Sequence, residues 1–177
     1  MQLGLSSHKA EFYSFFGSGP HYRWLDYGGI DQETLNNRVR NAPVTPTPED
    51  GIRDLVGSGD GTLIWRNYDD LIKYLDGILD ENPDIAGMVG YSEGACMAST
   101  YILNEEKRLR ETGRERRIKC ALFVTGTPPI NPDKGFVLAD EQEDVMLDVP
   151  TLHVIGANGS IPSPSSSVVG NWLMNFE

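Results

Sequence analysis

Gly90-Tyr91-Ser92-Glu93-Gly94 is the stretch of this sequence whose residue types and spacing can do chemistry. A serine with a glycine two residues away on either side is the G-x-S-x-G pattern. It sets the serine on a sharp turn between a strand and a helix, with its hydroxyl lifted above the end of a sheet. A serine hydroxyl is a weak nucleophile. It needs a base to take its proton, ordinarily a histidine held by a carboxylate, and two N–H donors aimed at the developing oxyanion. Ser92 is the candidate nucleophile. The backbone N–H of the next residue, Glu93, is the candidate oxyanion donor, and Gly90 and Gly94 are read as relieving crowding at a strained turn.

The rest of the machinery is harder to find. With this elbow the chain order is serine, then acid, then histidine. One histidine follows Ser92, and it is His153, inside an apolar strand pattern three residues before Gly156. There it reads as a structural histidine. The next residues, Ala157-Asn158-Gly159-Ser160, contain no carboxylate. His21, after Gly19-Pro20, is a weaker substitute base, and His8 weaker still. The three histidines are scattered, and C-x-x-C and H-E-x-x-H patterns are missing, so neither a metal site nor a cofactor is expected.

The elements that must position Ser92 follow from periodicity. Leu71, Ile72, Leu75, Ile78 and Leu79 form the stripe of an amphipathic helix, with Asp69 and Asp70 favouring its first turn and Asn82-Pro83 ending it. Ile85 to Val89 is a short apolar run without alternation, read as a strand buried on both faces. A helix is expected from about Ala95 to Leu109, its small residues Ala95, Cys96, Ala98 and Ser99 letting it lie close to the sheet. Cys120 to Val124 and Val149 to Ile155 are two further strands, which gives strand, helix, strand, helix, strand and a parallel α/β sheet. Ala10 to Phe16 reads as an earlier strand. His21 to about Gly61 reads as an irregular surface excursion or cap, not sheet. The charged segment Asn104 to Arg117 reads as a solvated helix end and loop.

At 177 residues the chain is long enough for one domain with a sizeable core, and 39% hydrophobic with 23% charged residues fits a soluble globular protein. A formal charge of −11 argues against binding nucleic acid through phosphates. No apolar run reaches membrane-span length, and the first residues lack a signal-peptide pattern. Two cysteines, Cys96 and Cys120, fall in separate elements; read as buried thiols, they fit a cytoplasmic location. The domain is expected over 1–159, followed by a Ser/Pro-rich tail at 160–177 that suits disorder.

Several motifs occur in the order of a known family. Phe12 to Pro20 resembles a strand with its following Gly-Pro turn, and Gly87 to Ala95 resembles an elbow usually written G-F-S-Q-G-A. Phe123-Val124-Thr125-Gly126-Thr127-Pro128-Pro129 and Val149-Pro150-Thr151-Leu152-His153-Val154-Ile155-Gly156 resemble two later strand ends. Together, over about Glu11 to Asn158, the chain resembles the fungal serine hydrolase family of FSH type, within the α/β-hydrolases. The resemblance implies an α/β-hydrolase-like parallel sheet flanked by helices, here without the family's first strand and its C-terminal strand and helix. It implies that the histidine of the last strand is structural. Gly159 stands where the family has its catalytic aspartate. The break after Asn158 is read as a truncated or mis-spliced gene model or a decayed paralogue, and loss of the opening strand as a source of marginal stability.

What the resemblance implies is a serine hydrolase acting on small-molecule esters or acyl thioesters. Such fungal proteins often release polyketide or related acyl products in secondary metabolism, which would make an acyl carrier protein or polyketide synthase a partner. The alternatives are a catalytically inactive hydrolase-like binding module and a non-functional truncated fragment. The irregular segments that shape the pocket leave the substrate unnamed.

Overall fold

The computed structural model describes residues 24–28, 33–34, 37–38, 41, 43, 45–56, 64–133, 135–138 and 147–154. The expected strand at Ala10–Phe16, the loops at His8 and His21, and the chain from Ile155 onward, with Asn158, Gly159 and the 160–177 segment, lie outside the described residues.

Three parallel strands carry the fold: β3 (Gly87–Tyr91), β4 (Cys120–Val124) and β7 (Thr151–Val154), side by side in the order β3-β4-β7. Their register places Gly90 beside Phe123 and Phe123 beside His153. Parallel neighbours require crossovers, and helix α3 (Glu93–Thr112) makes the first of them. It continues past the expected end to Gly113, whose φ of 74° forms a left-handed cap with its N–H on Leu109 O at 2.9 Å. Helix α2 (Tyr68–Glu81) buries Leu71, Ile72 and Leu79, while both amide nitrogens of Asn82 donate to Ile78 O and stop it before Pro83. The result is the α/β-hydrolase-like arrangement of a parallel sheet with flanking helices.

The two faces of the sheet differ. Met88, Ala121 and Phe123 pack with Leu79, Ala98, Tyr101 and Ile102 beneath α2 and α3. Complete burial of a side chain such as Ile102 contributes about 1.5–3 kcal/mol. The alternate residues of β3 point the other way, and Val89 and Tyr91 are 74% and 61% exposed. The expectation of a strand buried on both faces is therefore corrected. Among the described residues β3 is an edge strand, and no described helix covers its outer face.

The cap segment has more order than expected. β1 (Tyr27–Gly28) pairs antiparallel with β2 (Ile64–Trp65), and α1 spans Pro48–Val56. The reasons are local: the Asp50 N–H donates to Thr47 Oγ1 at 3.2 Å, proline suits the first helical position, and Glu49 and Asp50 complement the helix dipole. β5 (Ile130–Asn131) and β6 (Gly135–Phe136) form a small hairpin. Trp65 meets Phe136 edge-on at 5.4 Å, and with Leu25, Leu71, Cys96, Met97 and Ile130 it builds a second core against the first turns of α3.

The charged stretch from Asn104 to Arg117 is not simply solvated. Glu105 and Glu106 are 4% and 8% exposed. The Glu105 carboxylate accepts the N–H groups of Arg117 and Ile118 at 3.2 and 3.1 Å, so it satisfies the backbone leading into β4. Asp76 of α2 accepts from Tyr101, Arg108 and Arg117 at 2.6, 2.8 and 2.6 Å, and Arg117 also pairs with Asp80. Tertiary partners, which composition does not reveal, draw these charges inward. Cys120, at the start of β4, is exposed, so of the two thiols only Cys96 is buried.

Candidate active site

Ser92 stands between β3 and α3 with φ 53° and ψ −119°. A non-glycine residue at positive φ costs about 1–3 kcal/mol and persists only where its surroundings over-determine it. Here they do: Ser92 N donates to Val124 O at 2.9 Å, and Ser92 O accepts the Ala95 N–H at 3.0 Å. The strand ladder thus runs into the serine, and the helix starts from its carbonyl. Ser92 itself is exposed at the C-terminal end of the sheet.

The glycines around it have unequal roles. A Cβ on Gly90 would lie 2.4 Å from Ala95 Cα and 2.5 Å from Gly94 O, both backbone atoms, so the close crossing of α3 requires glycine there. At Gly94 a Cβ would meet Trp24 Nε1 at 3.7 Å, an ordinary contact. Gly94 therefore does not relieve backbone crowding, in contrast to the expectation. The second position that needs glycine is Gly126, after β4, where a Cβ would sit 2.5 Å from Ala95 Cβ. The Thr125-Gly126-Thr127 motif seats the first turn of α3. Thr125 is also at positive φ, 47°, and its N–H donates to Val154 O at 2.9 Å. Two strained residues thus terminate neighbouring strands.

Glu93 opens α3, where a carboxylate complements the helix dipole. Its Oε2 accepts the Trp24 N–H at 3.0 Å, tying the elbow to the chain at 24–26. Asn67, just before α2, holds the same segment: its Nδ2 donates to Trp24 O at 2.8 Å, and its Oδ1 accepts the Asp26 N–H at 2.9 Å. Cys96 lies one turn beyond Ser92. Burial pushes its thiol up to about 12, which leaves it protonated and unreactive at neutral pH.

His153 lies two strands from Gly90 in register. Its ring packs on Phe123 with centroids 5.0 Å apart, and Nε2 is 3.2 Å from Thr151 Oγ1. Burial lowers its pKa from the ordinary imidazole value. It is built into the sheet and not brought to Ser92. A cavity of about 500 Å³ beside α1, lined by Thr34, Asn37, Arg38, Asn41 and Asp54 among others, includes none of the elbow residues. Among the described residues no group of three or more His, Cys, Asp or Glu is placed to hold a metal ion.

Sequence reasoning missed Trp24, Asn67 and the seating role of Gly126. Gly126 was visible within a strand-end motif. Trp24 and Asn67 carry no local signal, since they reach the elbow only through the fold, 69 residues from Glu93 in the case of Trp24.

The chain resembles two curated fungal proteins, each named Hydrolase phiM. The one from Talaromyces stipitatus is 29% identical over 101 residues, which is 56% of this chain and 38% of the relative. The other, from a fungal species, is 29% identical over 84 residues, 46% of this chain and 39% of the relative. The chain thus matches about two fifths of these relatives' length. No solved structure matches it. The family model described as "Serine hydrolase (FSH1)" matches residues 30–169, from the cap segment through the elbow and beyond Asn158. With the elbow, the Gly126 seat and the β7 strand all inside that match, the chain belongs to the FSH1 serine hydrolase family.

Proposed function

We propose that this protein is a serine hydrolase acting on ester or thioester bonds, with Ser92 as the acylated nucleophile and the Glu93 N–H as one oxyanion donor. The observation that carries this reading is the positive φ of Ser92 at an exposed strand-to-helix turn. Strain of this kind persists at functional sites, where it presents a side chain that relaxed backbone would turn away.

In the proposed reaction Ser92 Oγ attacks the acyl carbon and its proton passes to a general base. The carbonyl oxygen becomes an oxyanion beside the start of α3. Collapse expels the alcohol or thiol with a proton and leaves an acyl ester on Ser92. Water then attacks that ester, releasing the carboxylic acid and restoring the serine hydroxyl. Among the described residues the one histidine, His153, is committed to Thr151 and Phe123, so it is not assigned as the base. Hydrogen bonds at both Ser92 N and Ser92 O hold the serine backbone in place before substrate arrives, and this preorganisation lowers the reorganisation needed at the transition state.

The finer reading rests on resemblance: an acyl thioester borne by an acyl carrier protein or polyketide synthase, in fungal secondary metabolism. A cytoplasmic location is proposed from two free cysteines, one of them exposed. Hydrolysis of 4-nitrophenyl acetate and of an N-acetylcysteamine thioester tests the assignment. Turnover that is lost in Ser92→Ala supports it. A folded protein that turns over neither substrate contradicts it and favours a binding module that keeps the elbow without catalysis.

A further inference from the structure

We infer that Trp24 determines acyl specificity: its indole forms the wall on which an apolar acyl group lies while the reacting carbonyl is at Ser92. This rests on the serine hydrolase reading above. Trp24 is 41% exposed although indole is among the side chains that gain most from leaving water. Its place is fixed at the elbow, for the Trp24 backbone N–H donates to Glu93 Oε2 at 3.0 Å and the indole Nε1 stands 3.7 Å from where a side chain on Gly94 would begin.

The mounting is rigid. Asn67 grips the backbone on both sides, at Trp24 O and Asp26 N, and the Arg66 N–H donates to Asp26 O at 3.1 Å. Leu25, between them, is 3% exposed and packs in the second core. The backbone that carries the indole is thus held without using the indole. Beyond it, on α2, Tyr74 is 58% exposed and its ring lies 6.4 Å from that of Trp24 at 53°. The two rings form an apolar strip leading away from the elbow. This also gives Gly94 a purpose other than backbone crowding: without a side chain it leaves the Nε1 edge of the indole uncovered.

An apolar acyl chain laid on this strip loses contact with water, and each buried methylene contributes about a factor of four. A hexanoyl ester should therefore be preferred to an acetyl ester, and the preference should depend on Trp24. The test compares kcat/KM for 4-nitrophenyl hexanoate and acetate in the wild type, Trp24→Ala and Trp24→Phe, with thermal unfolding to confirm the fold. The expected result is a fall of about tenfold in the hexanoate-to-acetate ratio for Trp24→Ala, with Trp24→Phe between the two. An unchanged ratio in Trp24→Ala overturns the proposal.

A second measurement stands apart from turnover. In Ser92→Ala, 12-bromododecanoate, whose bromine quenches indole on contact, should quench tryptophan emission, and the quench should be lost in the Ser92→Ala, Trp24→Phe double variant. A quench that survives in the double variant, or no quench in Ser92→Ala, overturns the indole assignment. A wild type without esterase activity whose quench behaves as expected overturns only the hydrolase reading.

Discussion

The two ends of the β3-β4-β7 sheet are built on opposite principles. At the C-terminal end, Ser92 and Thr125 hold positive φ in adjacent positions, and Gly90 and Gly126 let α3 press on the strands with no room for a side chain. At the N-terminal end the backbone entering β4 is satisfied by Glu105, and Asp76 gathers Tyr101, Arg108 and Arg117. One end carries strain; the other anchors both helices to the sheet. Rigidity at the strained end comes from the anchored one. A strained turn keeps its geometry only if the elements it joins cannot move, and the ionic network fixes the far ends of α2 and α3.

Crowding at the strained end gives the largest expected effect. Gly90→Ala forces a Cβ into the backbone of Ala95 and should cost about 3 kcal/mol, with Gly126→Ala close behind at about 2–3 kcal/mol. Gly94→Ala, which meets only an ordinary contact, should leave stability unchanged or raise it by about 0.5–1 kcal/mol, since alanine suits a helix better. Denaturant unfolding of the three variants checks this ranking. Equal losses at all three would break the distinction between Gly90 and Gly94. Recovery of Gly126→Ala by Ala95→Gly would sharpen it.

At the anchoring end, Asp76→Asn should cost about 1–3 kcal/mol, less than a fully buried pair because its partners remain partly in water. It leaves Arg108 and Arg117 without their shared carboxylate while sparing the elbow. Folded Asp76→Asn protein that reacts at Ser92 more slowly than the wild type would confirm that the anchoring end holds the strained turn, and unchanged reactivity would break that link. The same residue predicts a pH effect. Burial raises its pKa, but the Tyr101 hydroxyl, Arg108 and Arg114 outweigh burial and hold it below the ordinary 3.8. A depressed carboxylate pKa stabilises the fold fully above the unfolded value, and that contribution is lost as pH falls through the folded one. Wild-type stability should thus drop below about pH 3.8 more steeply than that of Asp76→Asn, read from denaturation midpoints.

The smallest effect is chemical. Cys120, exposed at the anchoring end, should react with a maleimide at neutral pH in the folded protein, and Cys96, buried under the elbow, only after unfolding. Two labels on native protein would mean that the first turn of α3 is not held as described.

How much of this was legible beforehand follows the range of the interactions. The elbow, α2, α3 and the three parallel strands announce themselves within five to fifteen residues, through periodicity and apolar runs. The start of α1 at Thr47-Pro48-Glu49-Asp50 carried capping signals, but the prolines around it argued more loudly for coil. The Asp76–Arg117 contact joins residues 41 apart, and nothing in the charged run from Asn104 to Arg117 says which charges turn inward. Trp24 is the same case at the site itself. The sequence names a serine and its neighbours in the chain, whereas its neighbours in space need the fold.

Whether Ser92 is a presented nucleophile is read by intact-mass analysis after incubation with an alkyl fluorophosphonate. One adduct per chain is expected on folded wild type, mapped by peptide sequencing to Ser92 and missing from Ser92→Ala. Folded wild-type protein that gains no adduct, or whose adduct persists in Ser92→Ala, would contradict it.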